Sequence, residues 1–142
     1  MRVGIGLVLF YLGALNALLA INVGTCTQGD ASRLWGGVFT VILYGLACTP
    51  LSRTSRPELA SLLLAPALFV VLAQTAFAFQ LSAVSAEGGA ACAFLEKMEG
   101  YPHDGDERSY ATVWMAVAAS GWLAIGLVVA NVVRMWSPQE PE

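Results

Sequence analysis

Three cysteines, one histidine and ten carboxylates are the groups in this 142-residue chain that could form bridges, hold metals or move protons. Cys26 and Cys92 fall outside the long apolar stretches, whereas Cys48 lies within one. Sharing an oxidising compartment, Cys26 and Cys92 can form a structural disulfide. Closing a loop of roughly 66 residues would contribute about 4 kcal/mol on the chain-entropy model, leaving Cys48 over. Two free thiols and a redox-active pair are the alternatives. The second needs a lowered thiol pKa and a resolving partner beside it, and the C-x-x-C spacing that supplies both is missing.

A second group of reactive types is packed between positions 100 and 107, where turn formers alternate with His103, Asp104, Asp106 and Glu107. Asp104 and Asp106 look like the opening of a calcium loop. Arg108 stands at the next acidic position, however, and the central glycine pattern is missing, so no metal site is expected. With Glu87, Glu96 and Glu99 against Lys97 and Arg108, this stretch is anionic at neutral pH and attracts cations. It reads as a solvated loop whose charges keep it out of lipid, with recognition by a partner as the functional alternative. His103 is the only histidine. That excludes a bis-histidine haem and a zinc site of the H-E-x-x-H kind, each of which needs two imidazoles.

The elements that must carry these groups follow from composition. Hydrophobic residues make up 57% of the chain and charged residues 12%, where soluble domains carry about 25% charged. An ordinary cytosolic globule is excluded. Nucleic acid is also excluded as a partner, because seven scattered Lys and Arg in a chain of net charge −3 offer no clustered counterion-releasing surface. A bilayer core of about 30 Å needs roughly 20 apolar residues in helix. Four windows meet that length, at 3–23, 34–51, 59–82 and 111–136. Backbone groups in hydrocarbon must be satisfied within the segment, so the windows predict helices; the alternating strands of a barrel are not seen. The expected fold is therefore all-α: an integral membrane four-helix bundle over 1–136, followed by a short polar tail at 137–142. Its outer loop, 83–110, carries a short amphipathic helix over 90–99, ended by Gly100. The first window exceeds a signal-peptide core, and Thr25 before Cys26 suits neither cleavage nor lipoprotein processing, so it reads as a retained helix.

Pro50 is expected to close the second helix. Ser55 with Pro57 and Glu58 has the spacing to start the third, and Pro66 is expected to kink it. Arg2, Arg53, Arg56 and Arg134 flank one side, and Arg33, Lys97 and Arg108 the other. The positive-inside rule then favours both termini inside, in a plasma membrane or bacterial inner membrane. Trp35, Tyr110 and Trp114 read as outer belt residues and Trp136 as an inner one. Small residues at four-residue spacing, such as Gly13 with Ala17, Ala20 with Gly24, Ala116 with Ser120 and Ala124, and Gly126 with Ala130, allow close helix approach.

No span places Asp, Glu, Lys, Arg or His near its centre, which disfavours proton-coupled transport. Asn16, Thr40, Gln74 and Ser120 each fall about 3 residues, or 4–5 Å, outward of a span midpoint, and so share a layer. An unpaired amide in lipid is costly, so Asn16 and Gln74 are expected to face the bundle and bond across it. The same layer could hold a lipid headgroup, a quinone or another small molecule. No cofactor is otherwise expected. The leading functional expectation is a non-enzymatic accessory or scaffold subunit that presents the acidic outer loop to a partner, a second membrane protein or another copy of the chain. A lipid- or small-molecule-binding membrane protein or transporter component comes next, and a thiol–disulfide redox enzyme third.

Overall fold

A computed structural model describes residues 2–23, 30–86 and 107–137. They form four helices: α1 (Arg2–Val23), α2 (Asp30–Ser52), α3 (Pro57–Ala86) and α4 (Glu107–Trp136). All four are long and apolar enough to cross a membrane. Each exceeds its sequence window. The 30 residues of α3 and of α4 reach about 45 Å at the helical rise, more than the roughly 30 Å of a hydrocarbon core. Helix continues wherever backbone hydrogen bonding is satisfied, so hydropathy windows underestimate its length, at both ends of α2 and α3 and at the start of α1 and α4.

Contacts at the helix ends fix the topology. Asn131, late in α4, reaches the last carbonyls of α2. Trp136 at the end of α4 reaches Glu58 at the start of α3, and Gly6 near the start of α1 abuts Pro50 and Leu51. The start of α1, end of α2, start of α3 and end of α4 thus share one end of the bundle, called here the Arg53 end. At the opposite, Arg33 end, Gly36 meets Ala20 and Gly37 meets Val113. There Phe77 also packs edge-on against Trp114, with ring centroids 5.0 Å apart. α1 lies along α2, α2 along α4 and α4 along α3, while α1 and α3 meet over a smaller area.

One rule governs which positions each helix buries. The inward positions on α3 are Pro57, Ala60, Leu64, Ala67, Val71, Gln74, Ala78 and Leu81, alternating steps of three and four. α2 does the same with Arg33, Gly37, Thr40, Tyr44, Ala47 and Leu51. α1 matches it with Gly6, Phe10, Gly13, Ala17 and Ala20, and α4 with Trp114, Val117, Gly121, Ala124 and Val128. A 3.5-residue seam of this kind imposes a left-handed supercoil and knobs-into-holes packing. Only 28% to 33% of each span is buried. The outward faces are not polar but carry large apolar side chains, among them Leu62, Phe69, Phe79, Leu123 and Val133. Hydropathy is therefore nearly equal all round, and the seams combine small residues with a few large ones such as Phe10, Tyr44 and Trp114.

Several local expectations need correction. Pro50 does not end α2, which runs on to Ser52, because a proline in the last turn removes one bond to the preceding turn and leaves the next residues free to stay helical. α3 starts with Arg56, not Ser55, at the cap: Ala60 N–H donates to the Arg56 carbonyl, and Arg56 N–H is taken by the Thr54 hydroxyl. Pro66, where a bend is expected, lies inside α3 with its ring on the outward face, an arrangement compatible with that bend. The Tyr11 hydroxyl donates to the Leu63 carbonyl three residues before it, adding a partner from α1 at that turn. Trp35 and Trp136 are exposed as belt residues should be, at 67% and 73%. Trp114 is 1% exposed and Tyr110 7%; both pack inside the bundle rather than at its rim. Of the small-residue pairs, Gly13, Ala17 and Ala20 do sit at an interface, but Ala116 and Ala130 are exposed and nothing lies near Gly126.

The glycines give a direct test of the seam. A Cβ on Gly13 would stand 2.9 Å from the Tyr44 ring, and that ring is already held between Phe10 and Gly121. Gly13→Ala is expected to destabilise by about 1–3 kcal/mol, as overpacking does. Gly126→Ala, in open space, should be neutral or stabilising by up to about 1 kcal/mol through helix propensity. Unfolding in detergent micelles compares the two.

Candidate functional site

The polar side chains of the bundle interior are positioned by the same seams, and they form two separate knots. In the first, Asn16 of α1 donates its side-chain amide to the Gly36 carbonyl at 2.8 Å and to Thr40 Oγ1 at 2.9 Å. Thr40 Oγ1 lies 2.9 Å from that same carbonyl and 3.5 Å from the carbonyl of Gly13. Glycine is what makes this possible. Without side chains at Gly13 and Gly36 the two backbones approach closely enough for a short amide to span them, which is how small residues act between apolar helices.

The second knot lies in the middle of the molecule. The Tyr44 hydroxyl is 3.1 Å from Gln74 Oε1 and 3.0 Å from Nε2, donating to the first and accepting from the second. A hydroxyl can do either, so the bond survives both orientations of the amide. Tyr44 and Gln74 have no exposed surface. The Tyr44 ring stacks on Phe10 of α1, with centroids 4.6 Å apart at 23°, and touches the positions that Gly13 of α1 and Gly121 of α4 leave bare. One side chain of α2 thus meets all three other helices.

The expected layer is only partly assembled. Asn16 and Thr40 meet, but the Asn16–Gln74 bond is not formed: Asn16 is bound to α2, and Gln74 to Tyr44. α1 and α3 are the less closely packed neighbours, and the tyrosine of α2 supplies the hydroxyl that Gln74 needs. Ser120 joins neither knot. Its hydroxyl donates to the Val117 carbonyl of its own helix at 2.9 Å, the local bond that serine makes readily and that leaves it unavailable across the bundle.

Three further groups escaped the sequence reading. Asn131 donates to the Ser52 carbonyl at 2.8 Å and lies 3.4 Å from that of Leu51, capping from α4 the orphan carbonyls at the end of α2. Trp122 Nε1 donates to Thr75 Oγ1 at 3.0 Å, tying α4 to α3. Arg33 is buried, 6% exposed, at the start of α2. A signal existed for the first two: an amide or an indole in an apolar span needs a partner, and the reasoning applied to Asn16 extends to Asn131 and Trp122, as it does to Tyr44. Arg33 had none, since burial of a terminal arginine depends on how neighbouring helices close over it.

Of the remaining candidates, Cys26, Cys92, His103, Asp104 and Asp106 lie outside the described residues, as does the expected helix at 90–99; Glu107 opens α4. Cys48 is half-buried on α2 as a free thiol. Among the described residues no three His, Cys, Asp or Glu converge on a point that could hold a metal. Comparisons with protein-family models, with curated proteins and with solved structures found no match.

Double-mutant cycles distinguish the two knots from a single layer. Tyr44→Phe and Gln74→Leu should be coupled, by about 0.6 and at most about 1.7 kcal/mol on the scale of bonds between membrane helices. Asn16→Ala and Gln74→Leu should add independently. Coupling between Asn16 and Gln74 comparable to that of the tyrosine pair would contradict the arrangement.

Proposed function

We propose that this chain is a non-catalytic, multi-pass membrane protein that serves as an accessory or scaffold subunit, with both termini inside and an acidic outer segment, 83–110, facing a partner. The observation that carries this reading is the use already made of the interior polar groups. Asn16, Thr40, Tyr44, Gln74 and Ser120 bond to one another or to backbone. Ionisable Arg, Lys, Asp, Glu and His side chains are confined to the helix ends in the described residues. A proton-coupled transporter needs such a group within the bilayer, and a ligand site at the polar layer would need donors that are not already spent. The bundle is suited to holding its own shape and displaying what lies beyond it.

The outer segment is the part rich in recognition chemistry, with His103, Asp104, Asp106 and Glu107 coming after Glu96 and Glu99. A Cys26–Cys92 bridge would fasten it to the segment linking α1 and α2. The excess of arginine at the Arg53 end supports the inside orientation of that end, and the compact architecture with an Ala-, Gly-, Leu- and Arg-rich composition supports a plasma membrane or bacterial inner membrane.

Two measurements test this. Photo-crosslinking from position 101 in native membranes should trap one membrane-protein partner in stoichiometric yield. The triple change Asp104→Asn, Asp106→Asn, Glu107→Gln should abolish that product while leaving thermal unfolding unchanged; crosslinks to lipid alone would overturn the scaffold role. Alkylation of the oxidised, denatured protein should label one cysteine, Cys48, and three labelled cysteines would remove the bridge.

A further inference from the structure

Near the Arg53 end, α1 and α2 diverge on the outward side of the Gly6–Leu51 contact. The groove between them has a volume of about 320 Å³ and is lined by Ile5 and Leu9 of α1 and by Leu46, Thr49, Pro50 and Arg53. That is within the lower range of small-molecule sites. Its walls are aliphatic, and Ile5 and Leu46 are half exposed, so it opens sideways along the apolar outer face rather than into the core. From Leu46 to Arg53 it follows about two turns of helix, roughly 10 Å of rise. A single charge stands at its mouth.

That charge has no counterpart nearby. Arg53 is exposed just beyond the end of α2, with Arg56 and Arg134 exposed at the same end. Among the described residues there, the one carboxylate is Glu58, and it accepts the Trp136 indole N–H at 3.2 Å instead of pairing with an arginine. The described side chains of this end therefore carry three positive charges against one negative.

We infer that this groove is a binding site for an anionic phospholipid, one acyl chain lying along Ile5, Leu9, Leu46 and Pro50 and the phosphate meeting the Arg53 guanidinium. The fork of an arginine matches two phosphate oxygens, and basic side chains at a membrane surface favour anionic lipid by about 1 kcal/mol each. A zwitterionic choline headgroup would bring its own cation to an end whose described side chains already carry a net surplus of two positive charges. A second copy docked through the groove by two-fold symmetry would bring Arg53 of each chain together. A lipid relieves both problems and arrives from the side on which the groove is open. The site is separate from the outer segment at the other end of the bundle, so it stands or falls independently of the scaffold role.

The test is native mass spectrometry of the full chain in detergent with equal amounts of phosphatidylglycerol and phosphatidylcholine. The wild type should retain one phosphatidylglycerol in preference to phosphatidylcholine. Arg53→Gln should lower that preference roughly fivefold, the equivalent of about 1 kcal/mol, whereas Arg134→Gln, at the same end but off the groove, should leave it nearly unchanged. Leu46→Trp, which fills the groove from an exposed position and should not unfold the bundle, should abolish retention of that lipid. Added inorganic phosphate should not displace it, because the acyl chain contributes to binding. Equal loss in the two arginine variants would reduce the effect to diffuse surface charge and overturn the site. So would retention by Leu46→Trp, displacement by inorganic phosphate, or no preference between the lipids.

Discussion

Tyr44 occupies a position from which all four helices can be held, and the packing of the bundle depends on accommodating it. Its ring requires bare backbone on two sides, which Gly13 and Gly121 provide, and a flat neighbour, which Phe10 provides. Its hydroxyl requires a partner in an interior without water, which Gln74 provides. These requirements are met from three other helices, so the ring can be satisfied only when all of them are in register. In hydrocarbon there is little hydrophobic gain from bringing apolar helices together, and association falls to close packing and polar contacts. A buried phenol that needs three helices to complete its surroundings converts those small terms into a single arrangement.

The same constraint explains why small residues are interleaved with the few large ones of the seams while many large apolar side chains stay on the outer faces. In water the large apolar side chains would turn inward. Here Leu, Phe and Val are stable outside, and the inside is chosen for closeness: Gly6 under Leu51, Gly36 against Ala20, Gly37 against Val113. Close backbones in turn allow short side chains to act across helices. The bond from Asn16 to the Gly36 carbonyl forms where Gly36, bare against Ala20, lets the backbones of α1 and α2 come close.

The two ends of the bundle differ. At the Arg53 end the helices are tied by Asn131 to the end of α2 and by Trp136 to Glu58, and the arginines are left exposed. At the Arg33 end an arginine is drawn into the bundle together with Tyr110 and Trp114. A charge count alone gives the two ends four and three basic residues. Among the arginines whose side chains are described, exposure, which hydropathy cannot see, separates Arg53, Arg56 and Arg134 from the buried Arg33.

Four apolar windows of bilayer length were determined by the sequence itself, since the cost of unsatisfied backbone in hydrocarbon permits few alternatives to helix. So were the number of helices long enough to cross a membrane, the polar character of the interior layer and the absence of charge from the middle of the spans. Partners were not determined. Asn16 and Gln74 share a depth but not an interface, because depth follows from counting along one helix, whereas contact depends on how helices rotate about their axes. That rotation was decided by the steric fit of Tyr44 among glycines contributed by other segments, and by a 3.5-residue alternation of size that leaves almost no trace in hydropathy. Burial of Trp114 and exposure of Arg53 came from the same fit: neither residue differs in type from its counterparts Trp136 and Arg33, and only the neighbouring helices distinguish them.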